Sequence, residues 1–160
     1  MKDRKDIAKA AILAAIYVAL CAVLQPISFG PIQFRLSEAL CLLSIDYIWA
    51  FWGVVAGCFL ANMFLGGLGV IDVVFGTLAT FIACLSAYRL RNRLFHGYPL
   101  VSTFMIATVN GVIIGMELGY ILETVSLIPV YMLQVFVGEI VVLAIGLPIY
   151  MRIKDMDFMK

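Results

Sequence analysis

Charge is scarce in this chain. Of its 160 residues only 13% are Asp, Glu, Lys or Arg, and 64% are hydrophobic, whereas soluble domains carry about 25% charged and 45–50% apolar residues. A water-facing globule of this length leaves too much of its surface exposed to hide that many apolar side chains, so the surplus must face lipid. The net charge is +1, so nothing suggests nucleic-acid binding, which needs a basic face. The single histidine, His96, lies in a basic stretch after Arg91 and Arg93, too isolated for a metal or catalytic site. No G-x-x-x-x-G-K-[ST] run is present to hold a nucleotide, and no nucleophile stands with a base, so a membrane enzyme is the least favoured class. The four cysteines, Cys21, Cys41, Cys58 and Cys84, have no C-x-x-C spacing. Each lies in an apolar run and reads as a small buried hydrophobe. The period-two alternation of a lipid-facing β-barrel is missing, as are repeats and flexible linkers, so residues 1–160 read as one domain.

What the chain does contain is a succession of apolar runs. Crossing a bilayer takes about 20 such residues, and six candidate helices follow: Ile7–Leu24, Leu36–Ile48, Trp49–Leu65, Val70–Leu90, Leu100–Tyr120 and Leu127–Tyr150. The first follows a basic start but is too long for a cleaved signal, and reads as a retained anchor. The second is too short to span alone and is expected to be tilted or a partial span. Pro148 is expected to bend or end the last, because proline removes a backbone donor. The fold class is therefore all-α, a polytopic bundle of six transmembrane helices. With the N-terminus inside and six crossings, ten of the eleven Lys and Arg residues fall in the cytosol and Arg35 alone falls outside. That is the distribution of the positive-inside rule, and it puts both termini in the cytoplasm of a multi-pass plasma-membrane protein.

Ionisable groups at membrane depth are expensive and mark functional sites by default. Arg35, Glu38, Asp72, Glu117, Glu123 and Glu139 qualify, with the amides Asn62, Asn110 and Gln134. They gather in the outer half, where one arginine faces five carboxyl groups, a field suited to a cationic or hydrogen-bond-donating ligand entering from outside. Asn110 and Glu117 stand two turns apart on one helix face, and Arg35 and Glu38 can pair at i, i+3. Asp46, at the expected cytoplasmic turn, is set aside. Asn62, Thr77 and Thr80 read as helix glue, a common use of polar groups in membranes. Trp49 and Trp52 have the position of an interfacial belt. Phe34, Tyr120 and Tyr131 lie at the outer mouth, where each serves a belt or stacks on a flat ligand. In the first helix Ala10 and Ala14 form one small-x-x-x-small row, and Ala11, Ala15 and Ala19 form another. Such rows bring helices close, either within the bundle or toward a partner.

The segment Phe29-Gly30-Pro31-Ile32-Gln33-Phe34-Arg35-Leu36-Ser37-Glu38-Ala39-Leu40 resembles the signature of the QueT family, substrate-binding S components of energy-coupling factor (ECF) transporters. The stretches from Trp52 to Asn62 and from Asp72 to Thr80, then Asn110 and Gly138-Glu139, follow in the family's order. The resemblance implies a six-helix subunit that captures a queuosine precursor, a 7-deazaguanine such as 7-aminomethyl-7-deazaguanine or queuine, for uptake. It implies a transmembrane T component and two cytosolic ATPases as partners, with no cofactor of its own and ATP used by those partners only. The alanine pairs resemble an A-x-x-x-A docking motif for the T component. The chemistry agrees with the residues: a carboxylate accepts the paired N–H donors of a guanine-type edge, and a flat bicycle stacks on Phe34 or Tyr131. Glu139 with Asn110 is expected to read the base, and Glu117 or Asp72 to hold an amine, with Glu38, Arg35 and Gln134 completing the site. The rival reading is a self-assembling proton-coupled cation or drug transporter that uses a buried carboxyl group.

Overall fold

A computed structural model describes residues 3–25, 34–66 and 69–159. The stretch Ser28–Gln33, which includes the start of the first signature, lies outside the described residues, as do the middle two positions of Gly66-Gly67-Leu68-Gly69. The helices are α1 (Arg4–Val23), α2 (Leu36–Ile45), α3 (Ile48–Leu65), α4 (Val70–Arg89), α5 (Leu100–Ile121) and α6 (Ile128–Ile153). A short 3-10 turn, Val125–Leu127, leads into α6. Five of the six are long and apolar enough to cross a membrane, and α2 is the shorter exception. The chain is thus an all-α polytopic membrane protein.

The expected boundaries move by a few residues at most, and two elements differ in character. Pro148 does not end the last helix, which continues through it to Ile153. The second helix stops at Ile45 and is wound as a 3-10 helix throughout, an unusually long run for that geometry. At about 2.0 Å per residue, its ten residues reach roughly 20 Å, short of the ~30 Å hydrocarbon core. It is a partial span. Most of its surface is buried all the same, with Ser37, Glu38, Cys41, Leu42, Leu43, Ser44 and Ile45 all shielded. It packs against α1, α3, α4 and α6, which makes it the pillar of the bundle.

Around that pillar the long helices pair in chain order. The tightest seams are α5 with α6, α1 with α3, and α4 with α5. The α1–α3 seam explains half of the alanine pattern. Ala10 and Ala14 are buried, facing Gly53 and Gly57 of α3. A Cβ on Gly53 would lie 2.7 Å from the Ala10 carbonyl oxygen, and one on Gly57 would lie 2.7 Å from Tyr17 Cβ. Backbones this close exclude any larger residue, so Ala10 and Ala14 are occupied inside the bundle. Ala11, Ala15 and Ala19 face outward.

One end of the bundle gathers the start of α1, the α2–α3 turn and the end of α6. Lys9 Nζ and Trp49 Nε1 both donate to the Met159 carbonyl at 3.3 Å, and the Tyr47 hydroxyl donates to the Lys154 carbonyl. Trp49 is therefore packed under the C-terminal segment rather than standing in an interfacial belt, whereas Trp52 is 47% exposed. Asp46 is exposed there and accepts from the Tyr150 hydroxyl. This is the end rich in Lys and Arg. At the other end Gln25 Nε2 donates to the Leu65 carbonyl, and Thr124 meets the Tyr131 hydroxyl at 3.1 Å.

Candidate functional site

Helix geometry alone brings polar groups to a common depth. Asn110 lies eleven residues below the outer end of α5 at Ile121, and Glu139 eleven below the outer end of α6 at Ile128. At 1.5 Å per residue both sit about 16 Å down. Thr80, ten residues into α4, is at nearly the same level. Because α2 is short, its N-terminus begins inside the bundle, which lowers Glu38 to meet them rather than leaving it at the mouth.

Glu38 is the hub. Its Oε1 accepts from the Tyr17 hydroxyl and, at 3.4 Å, from Thr80 Oγ1. Its Oε2 accepts from Cys41 Sγ at 2.9 Å and from Asn110 Nδ2 at 3.4 Å. Four elements, α1, α2, α4 and α5, are thereby tied to one carboxylate. Thr80 Oγ1 also stands 3.1 Å from the Gly76 carbonyl oxygen and from Cys58 Sγ, and its one proton serves these acceptors and Glu38 in turn, so it is helix glue as read from the sequence. The cysteines are more than small hydrophobes. Cys41 and Cys58 belong to this network, and Cys21 Sγ lies 3.1 Å from Ser37 Oγ. Tyr17 escaped the sequence reading as well. Its signal was present, since Ala10, Leu13, Ala14, Tyr17 and Cys21 form one inward stripe at helical spacing, and a buried phenol needs a partner.

Arg35 and Glu38 line a small hollow with Gly76, Thr80, Asn110 and Glu139, backed by Ile114 and Val135. Asn110 stands beside Glu139 on the wall of this hollow, and Glu139 Oε2 is buried with no hydrogen-bond partner among the described residues. The hollow is about 10 Å³, near the lower limit for a single water. A bicyclic ligand enters only if the walls part. Arg35 reaches the other way too, pairing with Asp72 Oδ1 at 3.2 Å while both side chains are almost fully buried. The second oxygen of Asp72 has no partner.

Glu117 sits one turn below the outer end of α5. It is 4% exposed, and both carboxyl oxygens are buried without a partner. It lies on the wall of an apolar groove of about 500 Å³ between α4 and α5. Asp72 and Arg35 are within electrostatic reach of it.

The remaining expected residues do not join the hollow. Phe34 and Gln134 meet at a separate shallow cleft beside α6, with Leu133 and Val137, and Gln134 is exposed there. Tyr131 is engaged with Thr124, and Tyr120 is 68% exposed on the rim of the α4–α5 groove. Among the described residues no cluster of His, Cys, Asp and Glu has the makings of a metal site.

Comparison with known proteins adds a name to this arrangement. Residues 7–155 match the family described as QueT transporter. The chain is similar to a protein of Lactococcus lactis subsp. cremoris (strain MG1363) called queuosine precursor transporter QueT, 33% identical over 139 residues, which cover 78% of this chain and 79% of that relative. No solved structure matches the chain.

Proposed function

The chain belongs to the QueT transporter family, and from that premise we propose that it captures a queuosine precursor on the outer side of the plasma membrane and holds it at the Glu139–Asn110 level for import. The observation that carries this reading is Glu139 itself, a carboxyl group that shares the wall of a hollow with Asn110 and keeps a buried oxygen without a partner. An unmade hydrogen bond at a buried acceptor costs about 1–3 kcal/mol, and a fold that keeps one leaves it for a ligand to fill. The paired N–H donors of a 7-deazaguanine edge suit that acceptor. Glu38, by contrast, is saturated by protein donors and serves as the frame that holds Asn110 and Thr80 in place.

The hollow is narrower than a deazaguanine, so capture includes a parting of α5 and α6 or of the α4–α5 seam. The sequence has no G-x-x-x-x-G-K-[ST] run to hold a nucleotide. The S-component role, with a T component and two ATPases supplying the energy, fits a chain of this kind, and the exposed Ala11, Ala15 and Ala19 row is the part of the alanine pattern left to meet such a partner.

Calorimetry on the purified full-length protein, titrated with 7-cyano- and 7-aminomethyl-7-deazaguanine and queuine, tests the reading. Binding of at least one is expected, with Glu139→Gln weakening it roughly 10- to 100-fold, as for loss of a charge-assisted hydrogen bond. Silence with all three compounds removes the proposal. Uptake into liposomes containing this chain alone, without ATP and partners, favours the proton-coupled rival instead.

A further inference from the structure

The α4–α5 groove raises a question that the central hollow does not answer. Its walls are Ile71, Phe75 and Leu78 from α4 and Ile113, Met116 and Tyr120 from α5, all apolar but for the Tyr120 ring's hydroxyl. Into this surface the fold places a carboxyl group that is 96% buried by the complement of its 4% exposure. Among the described residues, Glu117 is the one carboxyl group with both oxygens buried and unpartnered. The cation nearest in the sequence's polar set, Arg35, is bonded to Asp72. Two unmade acceptors beside an open apolar space suit an N–H-rich cation joined to an apolar body. The other sizeable grooves differ in this respect. The one between α2 and α6 has no ionisable lining residue at all except the Tyr150 phenol, so it has nothing with which to select a ligand.

Position links Glu117 to the base-reading level. Glu117 and Asn110 are two turns apart on one face of α5, both buried, and separated along the axis by about 10 Å. That is the scale of a bicyclic base lengthened by a one-carbon arm. Between the hollow and the groove the buried side chains of Ala79, Ile114 and Leu118 pack together, so an arm that reaches Glu117 from the hollow parts the α4–α5 seam.

We infer that the groove is the side-arm subsite of the same binding site: Glu117 receives the ammonium on the substrate's arm, and the space between α4 and α5 accepts whatever that nitrogen carries. The inference rests on the capture reading above and narrows its substrate class. The preferred ligand is a 7-deazaguanine with a basic nitrogen on its arm, bare or bearing a bulky substituent, over the neutral 7-cyano compound. Asp72, the other residue considered for the amine, already has Arg35 on one oxygen.

The test is titration calorimetry of the full-length protein with 7-cyano-7-deazaguanine, its 7-aminomethyl counterpart and the N-benzyl derivative of that amine. The wild type is expected to bind both amines at least about tenfold more tightly than the cyano compound, and Glu117→Gln to collapse that preference to within about threefold. Leu78→Trp, which fills the groove from an exposed position, is expected to penalise the N-benzyl compound at least about tenfold more than the parent amine. An equal affinity for cyano and aminomethyl compounds in the wild type overturns the subsite while leaving capture intact. So does a preference that survives Glu117→Gln. If Glu117→Gln does not fold, Leu78→Trp decides: an unchanged ratio between the two amines overturns the inference. Failure of every deazaguanine to bind the wild type sinks the capture reading, and the subsite falls with it.

Discussion

Glu38 and Glu117 are the same side chain in the same low-dielectric interior, about equally hidden from solvent, and the bundle treats them in opposite ways. Four donors from four helices converge on Glu38. No donor reaches either oxygen of Glu117. Burial alone therefore does not identify a binding residue in a membrane bundle. The useful distinction is whether the protein has already supplied the partners. A saturated acid is part of the frame, and an unsaturated one is held ready. Glu139 sides with Glu117, since it keeps a buried oxygen without a partner on the wall of the hollow.

That contrast is most easily broken at Glu38. Replacing it with Ala takes the acceptor away from the Tyr17 hydroxyl, the Asn110 amide, the Cys41 thiol and the Thr80 hydroxyl. We expect a loss of roughly 3–5 kcal/mol, the scale for removing one member of a buried charged network. Thermal unfolding of the detergent-solubilised protein without ligand measures it. A loss below about 1 kcal/mol means that the four contacts are incidental and Glu38 is not the frame.

The Arg35–Asp72 pair is the intermediate case, because one oxygen of Asp72 is bonded and the other is not. Either single Ala substitution removes one charge from a buried pair and is expected to destabilise by about 3 kcal/mol. The double substitution is expected to lose much less than the sum, since it removes both charges together. A double-mutant cycle reads the difference directly, and additive losses would show that the two residues act independently.

The sequence made the long elements legible because a transmembrane helix declares itself by length and composition alone. Five of the six runs emerge within a few residues of their expected limits. It was poorer on α2, where apolar content gave the existence of the element but not its 3-10 winding or its deep start. That deep start has consequences for the site. It carries Glu38 from the expected mouth to the level of Thr80 and Asn110, where it becomes a hub. The polar residues that sequence reasoning singled out do assemble around the hollow in the cases of Arg35, Glu38, Asn110 and Glu139. Phe34 and Gln134 do not, because helical phase turns Gln134 to the outer surface of α6 while Glu139, five residues on, faces inward. Trp49 was misread for a related reason. Its position near a helix start suggested a belt, and only the docking of Met159 over it reveals a buried indole.

The smallest expected effect is also the most discriminating. If Glu117 contributes nothing to the frame, Glu117→Leu removes two unmade hydrogen bonds and extends an apolar wall, so stability in the absence of ligand is expected to hold within about 0.5 kcal/mol or to rise. The same replacement at Glu38 is expected to fail badly, although both sites are buried and both substitutions exchange an acid for an isosteric hydrophobe. Unfolding temperatures of the two Leu variants, measured side by side in one detergent, compare the sites without any ligand. A drop at Glu117 approaching that at Glu38 would mean that α4 and α5 depend on the Glu117 carboxyl after all, and an open acceptor would then no longer distinguish a residue kept for a ligand from one kept for the fold.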